Sequence, residues 1–424
     1  MPGPVFDSLL AFTLYYPLFM AYLWMIGGAY YYFHWERREP DYDSPPDLPA
    51  YPKVAIVVPC HNEAANIRDT VDSLLRQSYP DFEIILVNDG STDDTRAILD
   101  ELARTHEAVR VLHFAENQGK AMALRMGSMI TPCEFVVTVD GDAILDPGAV
   151  TWIMHHLASG PRVAAVTGNP RIRTRSTLLG KIQVGEFSSI IGLLKRCQRI
   201  YGRVFTVSGV ISGFRKTALH RVGYWDTDMV TEDIDVSWKL QLDHWDIRYE
   251  PNCLCWILMP ETLKGLWRQR LRWAEGGVEV LLKYFRPLLH WRKRRMWLVY
   301  MELLASMFWA YVMACVIAVW GVSQFLALPE GVRVPEMIPG WAGVLLGFTC
   351  LLQFLVSLMI DSRYEREIGR YYYWMVWYPL VYWVISAATT VVAVPRVLLR
   401  GRGKRAVWTS PDRGIRVGPV GGAS

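Results

Sequence analysis

The 424-residue chain alternates between two hydrophobic patterns. Residues 9–34 form an apolar run with no Asp, Glu, Lys or Arg. Three later runs are alike: 296–328 with only Glu302, 337–360 with no charge and 371–394 with none. Each is longer than the roughly 20 residues a helix needs to cross a bilayer. Between the first run and the second the pattern changes. Residues 54–58, 82–87, 109–114 and 134–139 are short apolar segments rich in β-branched side chains, whereas 66–77, 93–102 and 120–129 have helical spacing. Strands alternating with helices predict an α/β domain with a parallel-rich sheet and right-handed crossovers, binding its ligands at the carboxyl ends of the strands. Residues 265–285 read as an amphipathic helix at a membrane interface.

These patterns divide the chain into a transmembrane helix (1–35), a Pro-rich linker (36–52), a cytoplasmic α/β domain (53–260), an amphipathic interfacial region (261–295), transmembrane helices (296–399) and a basic tail (400–424). Asp7 is the one charged side chain before the first run, and Glu36, Arg37 and Arg38 follow it. The positive-inside rule then places the N-terminus outside and Arg37 in the cytoplasm. A secretory signal would have a basic start and a small-residue cleavage site; this run has an acidic start and ends in Tyr and Phe. Arg292, Lys293, Arg294 and Arg295 start the second run on the cytoplasmic side, residues 329–336 form a short outer loop, and Arg363, Arg366 and Arg370 return inside. A single crossing by the last run would leave Arg396, Arg400, Arg402, Lys404 and Arg405 outside, against the rule, so Pro379 is a candidate break between an interfacial piece and a crossing piece. The 18 Trp, 21 Tyr and 15 Phe cluster near the apolar runs, as aromatic belts do. A net charge of +4 gives no footing for nucleic acid. The seven scattered cysteines contain no CxxC pair and read as reduced.

Five motifs carry chemistry. Residues 83–87 end in Asn88-Asp89-Gly90-Ser91, a carboxylate with small polar neighbours at a strand's end, suited to a base or ribose; taken alone, a turn with a cap for the following helix is the stronger reading. Asn117-Gln118-Gly119-Lys120 is not a P-loop, but Lys120 at a helix start could meet a phosphate. Asp140-Gly141-Asp142 follows a buried strand, where two carboxylates are costly without a cation; such oxygen ligands suit Mg²⁺ or Mn²⁺ shared with substrate phosphates. Thr231-Glu232-Asp233-Ile234-Asp235 opens a helix that Thr231 could N-cap. Asp233 is the candidate general base, while Glu232 and Asp235 leave the helix in other directions. Gln269-Arg270-Leu271-Arg272-Trp273 offers a guanidinium for phosphate and an indole for a sugar face.

Taken together, PCHNE, VNDGS, DGD, SGVISGFR, TEDID and QRLRW resemble the processive, membrane-embedded family 2 glycosyltransferases, over residues 54 to about 284 and the flanking apolar runs. Within that family the segments 199–215 (RIYGRVFTVSGVISGFR), 229–242 and 255–273, and the tail motif WTSPDRGI at 408–415, are similar to the poly-β-1,6-N-acetylglucosamine synthases. The resemblance implies a GT-A (Rossmann-like) domain with a parallel-rich mixed sheet. It implies inverting, processive transfer of N-acetylglucosamine from UDP-GlcNAc to a growing polysaccharide that crosses the inner membrane of a bacterium. Pro59, Glu63, Asp89, Lys120, Asp140, Asp142 and Arg272 would bind the nucleotide-sugar, with Asp142 on the metal. Asp233 would be the base, and Glu232, Gln269 and Trp273 would face the acceptor. It also implies a small two-helix membrane partner, while the single apolar run before the α/β domain is one fewer than such synthases often have. The alternative within the family is another membrane polysaccharide synthase, of cellulose, chitin or hyaluronan type; two further rivals are separable. A single-addition transferase acting on a polyprenyl phosphate would share the early motifs but has no need of QRLRW. A non-enzymatic membrane assembly protein would make Asp140, Asp142 and Asp233 dispensable.

Overall fold

The computed structural model describes residues 4–327, 329 and 340–400. The expected outer loop beyond Pro329 and the tail motif at 408–415 lie outside the described residues. Helix α1 (Pro4–His34) is followed by a 3₁₀ turn at Glu36–Arg38. The domain then runs β1 (Val54–Cys60), α2 (Ile67–Leu75), β2 (Phe82–Asp89), α3 (Thr95–Thr105), β3 (Val109–Phe114), α4 (Lys120–Ile130) and β4 (Phe135–Val139). It continues with β5 (Ile144–Leu145), α5 (Ala149–Ser159), β6 (Val163–Ile172), α6 (Leu178–Glu186), a π-helical stretch at Phe187–Leu193, α7 (Leu194–Ile200), β7 (Ile211–Arg215), α8 (Lys216–Val222), α9 (Glu232–Leu242) and β8 (Asp246–Ile257). The long amphipathic α10 (Leu263–Leu288) leads through a 3₁₀ turn at Trp291–Met296 into α11 (Trp297–Ser323). Helix α12 (Gly340–Asp361), a 3₁₀ stretch at Ile368–Trp377 and α13 (Tyr378–Arg400) complete the described chain.

The eight strands form one sheet in the order β3-β2-β1-β4-β7-β6-β8-β5. Strands β3, β2, β1 and β4 are parallel, β7 is antiparallel to both its neighbours, and β6 pairs β8 in parallel. Every residue of β1 and β4 is buried, as a strand covered by helices on both faces must be. Ile56 and Val58 pack with Leu74, Leu99 and Ile153 on one face, and Ala55 and Val57 with Leu124, Leu219 and Leu240 on the other. The sheet is therefore a middle layer between two helical ones. Strand β1 runs on through Pro59, which pairs with Val87, rather than stopping there.

One expectation changes and another is met. Residues 36–52 do not form a free tether: Glu36 is buried and receives Arg196 at 2.7 and 2.8 Å, and Trp152 Nε1 donates to the Tyr42 carbonyl at 2.9 Å. The last apolar run is broken where the 3₁₀ stretch gives way to α13, next to Pro379. Among the described residues, four helices are long and apolar enough to cross a membrane: α1, α11, α12 and α13.

Candidate active site

The carboxyl ends of β1, β2 and β4 meet at one edge of the sheet, and the sequence motifs come to that edge with them. Asp89, fully buried, accepts the Gln118 amide at 2.6 Å and the Gly119 amide at 2.9 Å. It thus holds the turn that starts α4 and aims Lys120. Gly119 sits at φ 90° and Gly90 at φ 60°, where a side chain would be strained; a Cβ on Gly90 would also lie 2.5 Å from the Asn117 backbone. At the end of β4, Gly141 lets Glu63 and the Pro59 carbonyl close in: a Cβ there would meet them at 3.0 and 3.3 Å.

Lys120 is the centre of the site. Its Nζ lies 2.6 Å from Asp140 Oδ1 and 3.4 Å from Glu232 Oε1, and donates to the Gly209 carbonyl at 3.1 Å. Burial opposes its charge, but Asp140 and Glu232 outweigh burial and hold it protonated. Asp140 is pushed above the carboxylate range by burial, with Asp142 and Glu232 adding to this and Lys120 opposing it. Lys120 is therefore the cation that the buried carboxylates of this edge require. Among the described residues no three His, Cys, Asp or Glu side chains converge as a metal nest. A divalent ion on Asp140 and Asp142 would take the rest of its ligands from a bound phosphate, an arrangement usual for Mg²⁺.

Asp233 stands on the other side of Gly209, where a Cβ would come within 3.0 Å of its Oδ2. Burial, then the Glu232 carboxylate, raise it to about 6, against Lys120, Arg272 and the Ile234 amide. A carboxyl raised in this way is suited to act as a general base. Thr231 occupies the N-cap position of α9 but makes no capping hydrogen bond. Its hydroxyl lies against α10 instead: a Cβ on Gly276 would sit 1.9 Å from Thr231 Oγ1. The expected divergence of the three carboxylates is half right. Asp235 turns away to Lys283 at 2.5 Å and Tyr284 at 2.7 Å, but Glu232 shares Lys120 with Asp140.

Helix α10 brings the last motif alongside. Arg272 is exposed and close enough to Asp233 to act on its charge. Arg270 is buried on Glu186 at 2.5 Å and covers one face of Trp273 at 4.2 Å, while Phe187 flanks the indole at 6.4 Å. Gln269 Nε2 rests on Met259 Sδ at 3.6 Å. The sequence reading missed Lys195. It is buried, donates to Thr167 Oγ1 at 2.8 Å, and is pushed down to about 7 by burial, opposed by Asp233. Thr167 Oγ1 also receives the Ser208 amide at 2.7 Å, which ties Lys195 to the loop beside Asp233. A lysine inside a Lys-Arg-rich helix carries no local signal of such a place.

The family model described as "Glycosyltransferase like family 2" matches residues 52–276. The chain is 41% identical over 406 residues to poly-β-1,6-N-acetyl-D-glucosamine synthase of Staphylococcus epidermidis, covering 95% of this chain and 98% of that one. It is 40% identical over 405 residues to the synthase of the same name from Staphylococcus aureus, with the same coverage. Among solved structures, a mannosyltransferase from Pyrobaculum calidifontis, in complex with GDP-mannose and Mn²⁺, superposes with a TM-score of 0.54 at 22% identity. It covers 91% of this chain and 99% of that one, and the shared fold is GT-A. The matched span holds both the DGD edge and the TED helix start, and the relatives run nearly end to end with this chain, which belongs to glycosyltransferase family 2.

Proposed function

We propose that the protein transfers N-acetylglucosamine from UDP-GlcNAc to a growing poly-β-1,6-N-acetylglucosamine chain, inverting the anomeric carbon and keeping the product for the next round. The observation that carries the reading is the pairing of two unlike carboxylate sites one loop apart. Burial raises both carboxyls, but Asp140 is paired with Lys120 at 2.6 Å, whereas Asp233, raised to about 6, has no salt bridge among the described residues. Unlike environments of this kind separate the base from the groups that bind charge.

Lys120 and Arg272 provide positive charge for the diphosphate, Glu63 and Pro59 border it, and the turn held by Asp89 places the nucleoside. Asp140 and Asp142 are the residues that would hold Mg²⁺ or Mn²⁺, which when bound supplies charge neutralisation for the departing diphosphate. Trp273 supports the acceptor sugar by stacking, with Glu232 and Gln269 as the other residues assigned to the acceptor. Asp233 takes the proton of the acceptor hydroxyl. The hydroxyl oxygen forms the new bond to the anomeric carbon, and the bond to UDP breaks with its electron pair on the phosphate oxygen.

We further propose that α1, α11 and α12 cross the plasma membrane of a bacterium with the catalytic domain in the cytoplasm. Arg37, Arg292–Arg295 as a block, and Arg363 all flank these helices on the domain's side. A small two-helix membrane subunit is the partner implied by the synthases this chain resembles. The test is to supply membranes holding the protein with a panel of UDP-sugars and to measure UDP release and polymer. UDP-GlcNAc alone is expected to yield a polymer cleaved by a β-1,6-N-acetylglucosaminidase. A product of one sugar on a lipid phosphate would reject processive synthesis, and no UDP release from any donor would reject the enzyme reading.

A further inference from the structure

The mechanism above makes no use of the RIYGR segment at residues 199–203. In the structure, a pocket of about 490 Å³ opens beside it, between the end of α9 and the start of α11. Arg162, Arg203, His244, Arg294, Arg295 and Leu298 line it. Four arginines from three separate stretches of chain thus line one hollow.

The pocket's carboxylate does not offset them. Asp246 also lines the hollow, but its two oxygens are engaged by Arg199 at 2.9 Å and Arg248 at 3.3 Å. Arg203 is 7% exposed, and its Nη1 donates only to the neighbouring Gly202 carbonyl at 2.6 Å. Its Nε is buried with no acceptor among the described residues. A guanidinium buried without a carboxylate partner is costly, so this arrangement persists against its own electrostatics. Burial presses Arg203 below its ordinary range, and Arg295 and Arg199 add to that against Asp246. His244 is pushed down as well, by burial and then by Lys293, Arg203 and Arg295, against Asp243. It is also held at φ 69°, a strained backbone for a non-glycine residue, at the lip of the pocket.

The position selects the ligand. Leu298, 61% exposed, lies in the first turn of α11, just past Trp291 and Trp297, the kind of aromatic pair found at headgroup level. The hollow is therefore basic, with an exposed apolar side chain of the long helix in its lining. We propose that it binds the phosphodiester headgroup of an anionic phospholipid, with Arg203 and Arg295 on the phosphate and the acyl chains along Leu298. The phosphate chemistry rests on the arginines alone; the lipid source rests on α11 crossing the bilayer, part of the reading above. A headgroup there would brace the catalytic helix from its far end, because Lys293 already donates to the Leu242 carbonyl that closes α9.

The test is native mass spectrometry of the full-length protein in neutral detergent, titrated with phosphatidylglycerol and, separately, with phosphatidylcholine. One phosphatidylglycerol is expected to survive conditions that strip phosphatidylcholine. Arg203→Gln should weaken it by about tenfold or more, the worth of one charge-assisted hydrogen bond. So should Arg162→Gln/Arg295→Gln, a pair of exposed residues whose loss leaves the core untouched. Arg292→Gln, in the same basic strip but outside the pocket, should not. Equal loss from Arg292→Gln would reduce the effect to general surface charge and overturn the site. Soluble glycerophosphoglycerol competing at the same concentration as the lipid would overturn the lipid assignment while leaving a phosphodiester site. No preferential retention of phosphatidylglycerol would overturn both. None of these outcomes depends on UDP release, so the site can fail while the transferase reading stands.

Discussion

Activity and stability pull in opposite directions at Asp233. Its carboxyl is raised from 3.8 to about 6 because it is buried and faces Glu232, with Lys120 and Arg272 only partly offsetting this. Turnover should therefore fall as pH drops through about 6, where the base takes up its proton. The linkage has the opposite sign. The folded state holds this proton more tightly than the unfolded chain, so the group adds stability below about pH 4 and loses that contribution as pH rises through 6. At pH 7.5 the ionised carboxylate is a net cost. Asp233→Asn should then slow polymerisation by roughly 10²–10⁴-fold, retain UDP binding, and raise Tm at pH 7.5 by an amount that vanishes near pH 4. A Tm below wild type at pH 7.5 would show the residue to be structural, and a near-normal rate would show it not to be the base. Asp142→Ala should abolish activity and weaken UDP binding, with excess chelator mimicking it and Mg²⁺ or Mn²⁺ rescuing the wild type alone; full activity in chelator would dismiss the metal. At this scale the sequence was informative wherever a polar residue ended an apolar strand, as Asp89 and Asp140 do. Lys195 and Thr167 escaped notice because their meeting is a product of packing 28 positions apart, with no periodicity to announce it.

At the scale of elements, the site depends on how closely α10 can approach the start of α9. Gly276 and Gly277 are adjacent on α10 but face different things. A Cβ on Gly276 would meet Thr231 Oγ1 at 1.9 Å, Cγ2 at 2.5 Å and Cβ at 2.7 Å, so no rotation of Thr231 clears it. A Cβ on Gly277 would meet the far end of Met307 at 3.3 Å, which can swing aside. Gly276→Ala should therefore push Asp233 off its position and cost on the order of 10²-fold in rate, since a misplacement of about 1 Å carries that penalty. Gly277→Ala should keep near-normal rate and gain a little stability, because glycine inside a helix costs about 1 kcal/mol relative to alanine. Parallel assays of UDP release and thermal unfolding would check the pair. Equal losses at both glycines, or none at either, would mean that contact with Thr231 does not set the base. The first four strands and the helices between them were legible because their patterns are short, apolar and regular. Strand β6 was not, because Gly168 and Pro170 interrupt it. The structure uses that interruption as a register shift against β8, with the Gly168 Cβ position only 2.9 Å from the Cys253 carbonyl.

At the scale of the molecule, buried charge joins the long helices to the catalytic domain. Arg196 of α7 bridges Glu36, just past α1, and Asp361, at the end of α12, at 2.7 and 3.0 Å. Arg171 of β6 holds Asp361 at 2.6 Å, and Arg171 and Arg175 hold Glu365. The domain-side ends of α1 and α12 are thus fixed to the sheet, a link the charge pattern alone could not disclose. The same frame bears on α13, whose basic end conflicted with the positive-inside rule. Helix α13 runs beside α10 over its length. Tyr382 clusters with Leu266, Ala393 with Leu271, Val278 and Leu281, and Arg396 reaches Glu275 at 3.3 Å with Arg400 at 4.0 Å. Since α10 also carries Lys283 onto Asp235 of the catalytic helix, both ends of α13 lie against a helix seated on the domain. Apolar composition and length would let α13 cross a bilayer, but these contacts predict that it does not deliver Arg400 to the opposite side, which satisfies the rule. Cysteine labelling with an impermeant maleimide can decide this. Cys315 is the exposed native cysteine among the described residues and would be replaced by Ser, since the other six are buried. Leu399→Cys, 87% exposed, should resist label in intact cells and react once they are permeabilised; Phe325→Cys, 88% exposed at the far end of α11, should react from outside. If both sites label in intact cells, α13 crosses the membrane and its packing on α10 does not fix its side. If neither labels in intact cells but both do after permeabilisation, α11 itself does not cross, and the bilayer placement of the long helices falls with it.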